Sequence, residues 1–101
     1  MVSNHNNFRL QIVIGLFAVA AGFFFRLNFL EWMMLILTIG LVLIAEMANS
    51  SIEAMVDLIT KERKQEAKKA KDIAAGMVLF SSGLSIVIGI LIFGPYLMKF
   101  L

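Results

Sequence analysis

The stretch Glu46-Met-Ala-Asn49-Ser-Ser-Ile-Glu53-Ala-Met-Val-Asp57 decides how the rest of this sequence is interpreted. At about 100° per residue in a helix, Asn49 lies roughly 60° from Glu46, while Glu53 and Asp57 each lie about 20° from it. Three carboxylates and one amide therefore share one stripe, at the end of a long apolar run. Polar groups beside a membrane segment are costly, so the stripe indicates a functional site.

The composition favours a membrane protein over a soluble domain. Of the 101 residues, 60% are hydrophobic and 16% are charged, whereas a soluble domain has about 45–50% and about 25%. One small core cannot bury so much apolar surface, and a bilayer is the natural solvent for it. The chain has no cysteine, which excludes a disulfide framework and thiolate chemistry. The N-terminus lacks a signal-peptide pattern, so we expect every apolar segment to remain in the mature chain.

Three apolar runs predict three transmembrane helices, at about residues 8–25, 29–58 and 72–98. Crossing the hydrocarbon takes about 17–25 residues, and the first run reaches this length when a snorkelling arginine at its start is included. A short turn follows Arg26, and a basic loop at 59–71 leads into the third helix. We expect one all-α membrane domain over residues 1–101, in which the second helix carries the polar stripe.

The uneven placement of charge predicts the orientation in the membrane. Six of the nine basic residues fall in the 59–71 loop, and Arg9 would lie on the same side. Arg26 and Lys99 would lie on the opposite side. Because basic residues concentrate on the cytoplasmic side, we expect the N-terminus and this loop to be cytoplasmic and the C-terminus to be outside.

Two interpretations of the stripe remain open from the residues alone. Mg²⁺ is commonly held by one or two carboxylates together with substrate phosphates, and Glu53 and Asp57 are one turn apart on one face. Glu46 lies two turns deeper, where it could take a proton from a hydroxyl. Alternatively, the stripe is a solvated helical extension with ordinary surface charges. That alternative suits Asp57 better than Glu46, which follows an apolar segment.

The remaining polar features also allow two interpretations. Lys71 and Asp72 either contact phosphate or simply start a helix, with Asp72 as its N-cap. The basic run at 61–71 either sets the topology and contacts anionic head groups or includes phosphate ligands. No aromatic residue interrupts it, so we expect no nucleic-acid partner. His5 has no second histidine or cysteine to form a zinc site with, and suits a solvated tail.

The pattern Glu46-x-x-Asn49-Ser-x-Ile-Glu53-x-x-x-Asp57, followed by Ala70-Lys71-Asp72, resembles the signature of the bacterial integral-membrane diacylglycerol kinase family. Asn7-Phe8-Arg9 and Glu31-Trp32-Met33 also fit, so the resemblance covers roughly residues 5–98. These outer features are more similar to the undecaprenol kinase branch than to the diacylglycerol branch. The resemblance implies a homotrimer of three-helix protomers in the bacterial plasma membrane, which transfers the γ-phosphoryl group of MgATP to a lipid alcohol at the cytoplasmic interface.

The resemblance also implies separate roles for the polar residues. Glu46 matches the general base, Asn49 a supporting residue and Glu53 a ligand of the Mg²⁺ that accompanies ATP. His5 stands where the family has a second metal-binding glutamate, which makes it a candidate metal ligand. The residues matched to ATP binding are Glu53, Asp57, Glu62, Arg63, Lys64, Lys71 and Asp72. The acceptor lipid would be undecaprenol or diacylglycerol.

A catalytically impaired or inactive trimeric membrane protein of the same fold is the alternative hypothesis. Family members usually begin with an amphipathic surface helix, and this sequence starts after it. His5 replaces the metal-binding glutamate, and Lys64-Gln65 stands where the family often has histidine followed by proline. These differences motivate the alternative, which predicts no saturable MgATP binding.

Overall fold

Three helices make up the part of the chain that the computed structural model describes, namely residues 4–60, 62 and 64–101, with side chains from Phe8 onward in the first helix. They are α1 (Asn4–Phe25), α2 (Phe29–Ile59) and α3 (Gln65–Phe100). These ranges contain no strand, which confirms the predicted all-α class.

The helix bounds differ most from the predicted ones at the start of α3. This helix begins at Gln65 rather than at 72, so much of the predicted loop at 59–71 is helical. The reason is intrinsic propensity, because lysine, alanine, glutamate and glutamine are all strong helix formers. The prediction was wrong here because it placed the helix boundary where the apolar run begins. At its other end α3 continues to Phe100, and α1 begins at Asn4.

The helices are long enough and apolar enough to cross a membrane. The 31 residues of α2 and the 36 of α3 correspond to roughly 46 and 54 Å at 1.5 Å per residue, more than the roughly 30 Å of the hydrocarbon core. Large apolar side chains stay exposed along the bundle, with Phe17 at 72%, Leu79 at 77% and Phe80 at 71% exposure. Lipid is the natural cover for these side chains, and the ends of α2 and α3 project beyond it.

The turn between α1 and α2 is closed by local hydrogen bonds. Arg26 adopts a φ of 57°, and the Leu27 amide donates to the Gly22 carbonyl at 3.1 Å, which ends α1 as a left-handed residue commonly ends a helix. Asn28 caps α2, because its Oδ1 accepts from the Glu31 amide at 2.8 Å while Glu31 Oε1 accepts from the Asn28 amide at 3.0 Å. This capping box fixes where α2 starts.

Two polar contacts tie α2 to α3 at opposite ends of the bundle. The Tyr96 hydroxyl donates to Glu31 Oε1 at 2.5 Å, and Lys71 Nζ lies 2.7 Å from Asp57 Oδ1. The intervals between the ties, 31 to 57 on α2 and 71 to 96 on α3, are nearly equal. The two helices therefore run antiparallel in a register that holds along their whole contact.

The face of α3 that packs toward the interior is formed by small and aliphatic residues. Ala74 is fully buried, Ser81 is 4% exposed and Ile92 is 3% exposed. The small residues at two of these positions let the helices approach closely. The glycines of α3 do not serve this contact, since a Cβ would meet open space at Gly76, Gly83 and Gly89.

A substitution at Gly22 tests the close approach of α1 to α2. A methyl group there would lie 2.7 Å from Cη2 of Trp32 and 3.1 Å from Cδ1 of Leu27. Because overpacking of this kind costs about 1–3 kcal/mol, we expect Gly22→Ala to lower the thermal midpoint of the protein in detergent micelles. Gly83→Ala is the matched control and should leave the midpoint unchanged or slightly higher, since alanine favours a helix. Equal midpoints for the two variants would contradict this packing.

Candidate functional site

The polar stripe (Glu46, Asn49, Glu53 and Asp57) passes from the interior of the bundle to its surface. Glu46 is 2% exposed and Asn49 is 7% exposed. Glu53 is half-buried, and the Asp57 side chain is 51% exposed. All four residues lie on α2, so the helix itself aligns them as its period predicts. The stripe thus connects a buried carboxyl to a charged surface at one end of the bundle.

Parts of all three helices lie level with the buried end of the stripe. The antiparallel register of α2 and α3 places Ser81, which is itself 4% exposed, level with Glu46. On the other side α1 packs closely, since a Cβ at Gly15 would lie 3.2 Å from Cγ2 of Ile39. Because both helices rise equally per residue, the same antiparallel contact brings Phe8 to the level of Glu46. With 2% exposure, the Glu46 side chain is covered by protein instead of facing lipid.

The hydroxyl groups of the bundle interior are satisfied within their own helices. Ser81 donates to the Val78 carbonyl at 3.0 Å, and Thr38 donates to the Met34 carbonyl at 2.6 Å, which is the usual local bonding of such residues. Within the described ranges, Glu46 makes neither a hydrogen bond nor an ion pair. Burying a carboxyl without a partner costs folding free energy. The presence of Glu46 at this position therefore indicates that the carboxyl acts on a substrate.

Asn49 carries a buried acceptor one helical turn from Glu46. Its Oδ1 is buried and has no hydrogen-bond partner among the described residues. Leaving such an oxygen unpaired costs about 1–3 kcal/mol. A hydroxyl, a metal-bound water or another donor from outside the described residues would satisfy it. Glu46 and Asn49 together thus form a buried acceptor pair that is suited to a donor-bearing ligand.

Lys71 and Asp72 do not start a helix. The N-cap of α3 is Lys64, which makes no side-chain cap hydrogen bond, so both residues lie well inside α3. This excludes the alternative in which Asp72 caps the helix. Lys71 pairs with Asp57 across the two helices at 2.7 Å. The polar stripe is therefore connected directly to α3 at its exposed end.

A groove of about 670 Å³ lies between the end of α2 and the start of α3. The Glu62 amide donates to Thr60 Oγ1 at 3.0 Å, and both residues line this groove. Of the predicted nucleotide-binding residues that the structure describes, all except Glu53 line this groove. Its charged lining comprises Asp57, Glu62, Lys64, Lys68, Lys71 and Asp72. The arrangement offers carboxylates and ammonium groups together, which suits a polyanion with a bound cation.

Two predicted site features lie outside the described residues, namely Arg63 and the side chain of His5, so their roles stay predictions. Within the described part of the chain, no three acidic or histidine side chains are grouped to hold a metal ion by themselves. Mg²⁺ commonly takes only one or two carboxylates and completes its shell with phosphates and water. Glu53 fits such a role, because it lies on α2 between the buried acceptor pair and the groove.

Lys68 is a groove residue that sequence reasoning missed, because it was counted only as part of a basic run. It lines the same groove as Lys71 and Asp72. Its signal was present in the spacing, since it precedes these residues by three and four positions, and residues so spaced are neighbours on a helix surface. This spacing indicates a shared face only if the segment is helical, which the structure shows.

Fold and composition together define a multi-pass helical membrane protein with a polar stripe toward one end of its bundle. The chain belongs to the prokaryotic diacylglycerol kinase family, whose model matches residues 1–93. An undecaprenol kinase of Bacillus subtilis is 41% identical over 91 residues, which cover 90% of this chain and 74% of the relative. A diacylglycerol kinase of Helicobacter pylori is 37% identical over 91 residues, covering 90% and 68%. A diacylglycerol kinase of Escherichia coli is 32% identical over 84 residues, covering 83% and 69%. The resemblance noted in the sequence is thereby confirmed.

The Asp57–Lys71 pair should contribute little to stability. Its side chains are 51% and 39% exposed, and such pairs are typically worth about 0.2–1 kcal/mol. We expect a double-mutant cycle of Asp57→Asn and Lys71→Met, measured by denaturant unfolding in mixed micelles, to give a coupling free energy in that range. The coupling should fall as salt is added. A coupling above about 2 kcal/mol, insensitive to salt, would mean that the pair is far less solvated than its exposure indicates.

Proposed function

We propose that this protein is an ATP-dependent lipid kinase that phosphorylates the hydroxyl of a membrane lipid alcohol. Undecaprenol is the first candidate acceptor and diacylglycerol the second, because relatives carrying both names match most of this chain. The observation that carries the proposal is the buried Glu46 side chain, one helical turn from the Asn49 oxygen that has no hydrogen-bond partner among the described residues. An acceptor pair at this depth can meet a lipid hydroxyl without drawing the lipid out of the membrane.

Glu46 acts as the general base in this proposal. It accepts the proton of the lipid hydroxyl while the hydroxyl oxygen attacks the terminal phosphorus of ATP, and ADP leaves. Asn49 Oδ1 accepts a hydrogen bond and keeps the acceptor head group or a bound water in place. Phosphoryl transfer depends mainly on such placement and on neutralising charge, with little covalent work for the protein.

The nucleotide lies along the exposed part of the stripe. Along the helix axis, Glu46 is roughly 10 Å from Glu53 and roughly 16 Å from Asp57. The terminal phosphate must therefore extend along α2 from the groove toward Glu53, on the side that faces Glu46. The rest of the nucleotide occupies the groove near the α2–α3 turn. Glu62, Arg63 and Lys64 are proposed to contact that end.

Mg²⁺ is the cofactor that the proposed chemistry calls for, and when bound it neutralises developing charge on the phosphates. Glu53 is the proposed protein ligand, and His5 is a weaker candidate. We further propose that the protein works as a homotrimer, in which neighbouring protomers shelter the site. The basic end is proposed to face the cytoplasm, where ATP is found, because basic residues concentrate on that side of bacterial membranes.

Replacing Glu46 tests the assignment of the base. We expect Glu46→Gln to lower kcat by about 10²- to 10⁴-fold, the usual contribution of a general base, while helicity and oligomeric state stay unchanged. The measurement is transfer of radiolabelled phosphate from ATP in lipid bicelles, with undecaprenol and diacylglycerol assayed side by side. Glu66→Gln is the control and should retain activity, since Glu66 is an exposed carboxylate outside the stripe.

The same assay decides between a working kinase and an inactive family member. Transfer to either lipid by the unaltered protein supports the proposal, and the preferred lipid identifies the acceptor. No phosphate transfer to either lipid, under conditions where the Bacillus subtilis relative is active, would contradict the proposed kinase activity. Full activity of Glu46→Gln would instead remove Glu46 from the mechanism.

Glu53 is tested through nucleotide binding. A ligand that binds only the folded state raises the thermal midpoint as its concentration passes its Kd. We expect MgATP to raise the midpoint of the unaltered protein and to raise it much less for Glu53→Gln. ATP with excess EDTA is the control, because the proposed role of Glu53 operates through the cation. An equal MgATP response in both proteins would show that Glu53 is not a ligand.

A further inference from the structure

The cations of the α2–α3 groove are not equivalent. Lys71 is held 2.7 Å from Asp57, so its positive charge is largely compensated by a neighbouring carboxylate. Glu62 and Asp72 add further negative charge to the same lining. A polyphosphate entering this groove therefore needs a cation that no carboxylate already holds.

Lys68 has that property. It lines the groove, and within the described part of the chain it makes no ion pair. Its position three residues before Lys71 puts it roughly 60° away around α3 and one turn closer to the helix start. Lys69, the next residue, is rotated by about 100° and does not line the groove.

We propose that Lys68 contacts the phosphate chain of the nucleotide and is a binding residue in its own right, distinct from Lys71. This inference rests on the proposed function and names a further residue of the same site. The ligand class is a nucleoside triphosphate with its divalent cation. Lys68 offers a mobile ammonium group with three donors, which suits phosphate as a point charge.

The Asp57–Lys71 pair increases the share of Lys68 in attracting an anionic nucleotide. A lysine paired with a carboxylate presents a dipole to an incoming anion, whose field falls off faster than that of a free charge. Lys68, one turn away along α3, presents a full charge to the same groove. It attracts the nucleotide with a charge that is separate from the paired charge of Lys71.

The matched variants are Lys68→Gln, Lys68→Arg and Lys69→Gln. Each is reconstituted as the full chain in bicelles, and two quantities are measured. The first is the MgATP concentration that gives half of the maximal rise in thermal midpoint, without added lipid acceptor. The second is the split of the kinase reaction into kcat and KM for MgATP.

For Lys68→Gln we expect a three- to tenfold rise, approximately, in both the half-maximal concentration and KM, as for loss of one exposed charge-assisted phosphate contact. The kcat should change less than twofold, roughly, because Lys68 contributes binding and not proton transfer. Lys68→Arg should restore most of the affinity. Lys69→Gln should behave like the unaltered protein, although it removes the same charge from the neighbouring position.

Three outcomes would overturn the inference. Unchanged nucleotide affinity in Lys68→Gln would show that Lys68 makes no phosphate contact. Equal weakening in Lys69→Gln would show a general effect of charge at this end of the molecule. A changed response only when anionic lipid is added to the bicelles would assign Lys68 to lipid head groups. Saturable MgATP binding without transfer to either lipid would refute the proposed function, while the binding measurement would still decide the role of Lys68.

Discussion

The antiparallel packing of α2 on α3 is the interaction on which the rest of this structure depends. It is tied at one end by Tyr96 and Glu31 and at the other by Lys71 and Asp57. Between the ties, Ala74 and Ser81 let the helices approach closely enough to bury Glu46. Without this contact Glu46 would face hydrocarbon, where an unpartnered carboxyl is very unfavourable. The packing thus lowers the free-energy cost of burying Glu46 and holds its side chain in a defined position.

The same packing produces a gradient of solvation along one helix face. The deep end offers a buried carboxyl and an amide oxygen with no partner among the described residues, and the outer end offers an exposed ion pair beside a groove of mixed charge. Such a gradient matches two substrates with opposite requirements, one dissolved in lipid and one in water. A reaction that joins them is best placed where the helices cross the membrane boundary, because neither substrate then has to leave its own solvent.

Sequence reasoning succeeded where the signal was local. The apolar runs indicated the three helices, and the 3.6-residue period aligned the polar stripe, because both depend on residues close together in one chain segment. It failed at the start of α3, where a charged segment with high helix propensity was taken for a loop. That error hid the shared face of Lys68, Lys71 and Asp72, and it left the capping role of Asp72 open until the structure excluded it.

The sequence by itself determined the class of protein, the number of helices and the alignment of Glu46, Asn49, Glu53 and Asp57, since composition and helical period are properties of the chain alone. Only the tertiary structure decided which of these groups are buried, which buried oxygen lacks a hydrogen-bond partner within the described part of the chain, and that Asp57 is paired with Lys71. Those facts depend on the register between two long helices, and register is set by contacts between residues far apart in sequence. The polar stripe was readable in advance, whereas its division into a buried acceptor pair and an exposed groove was not.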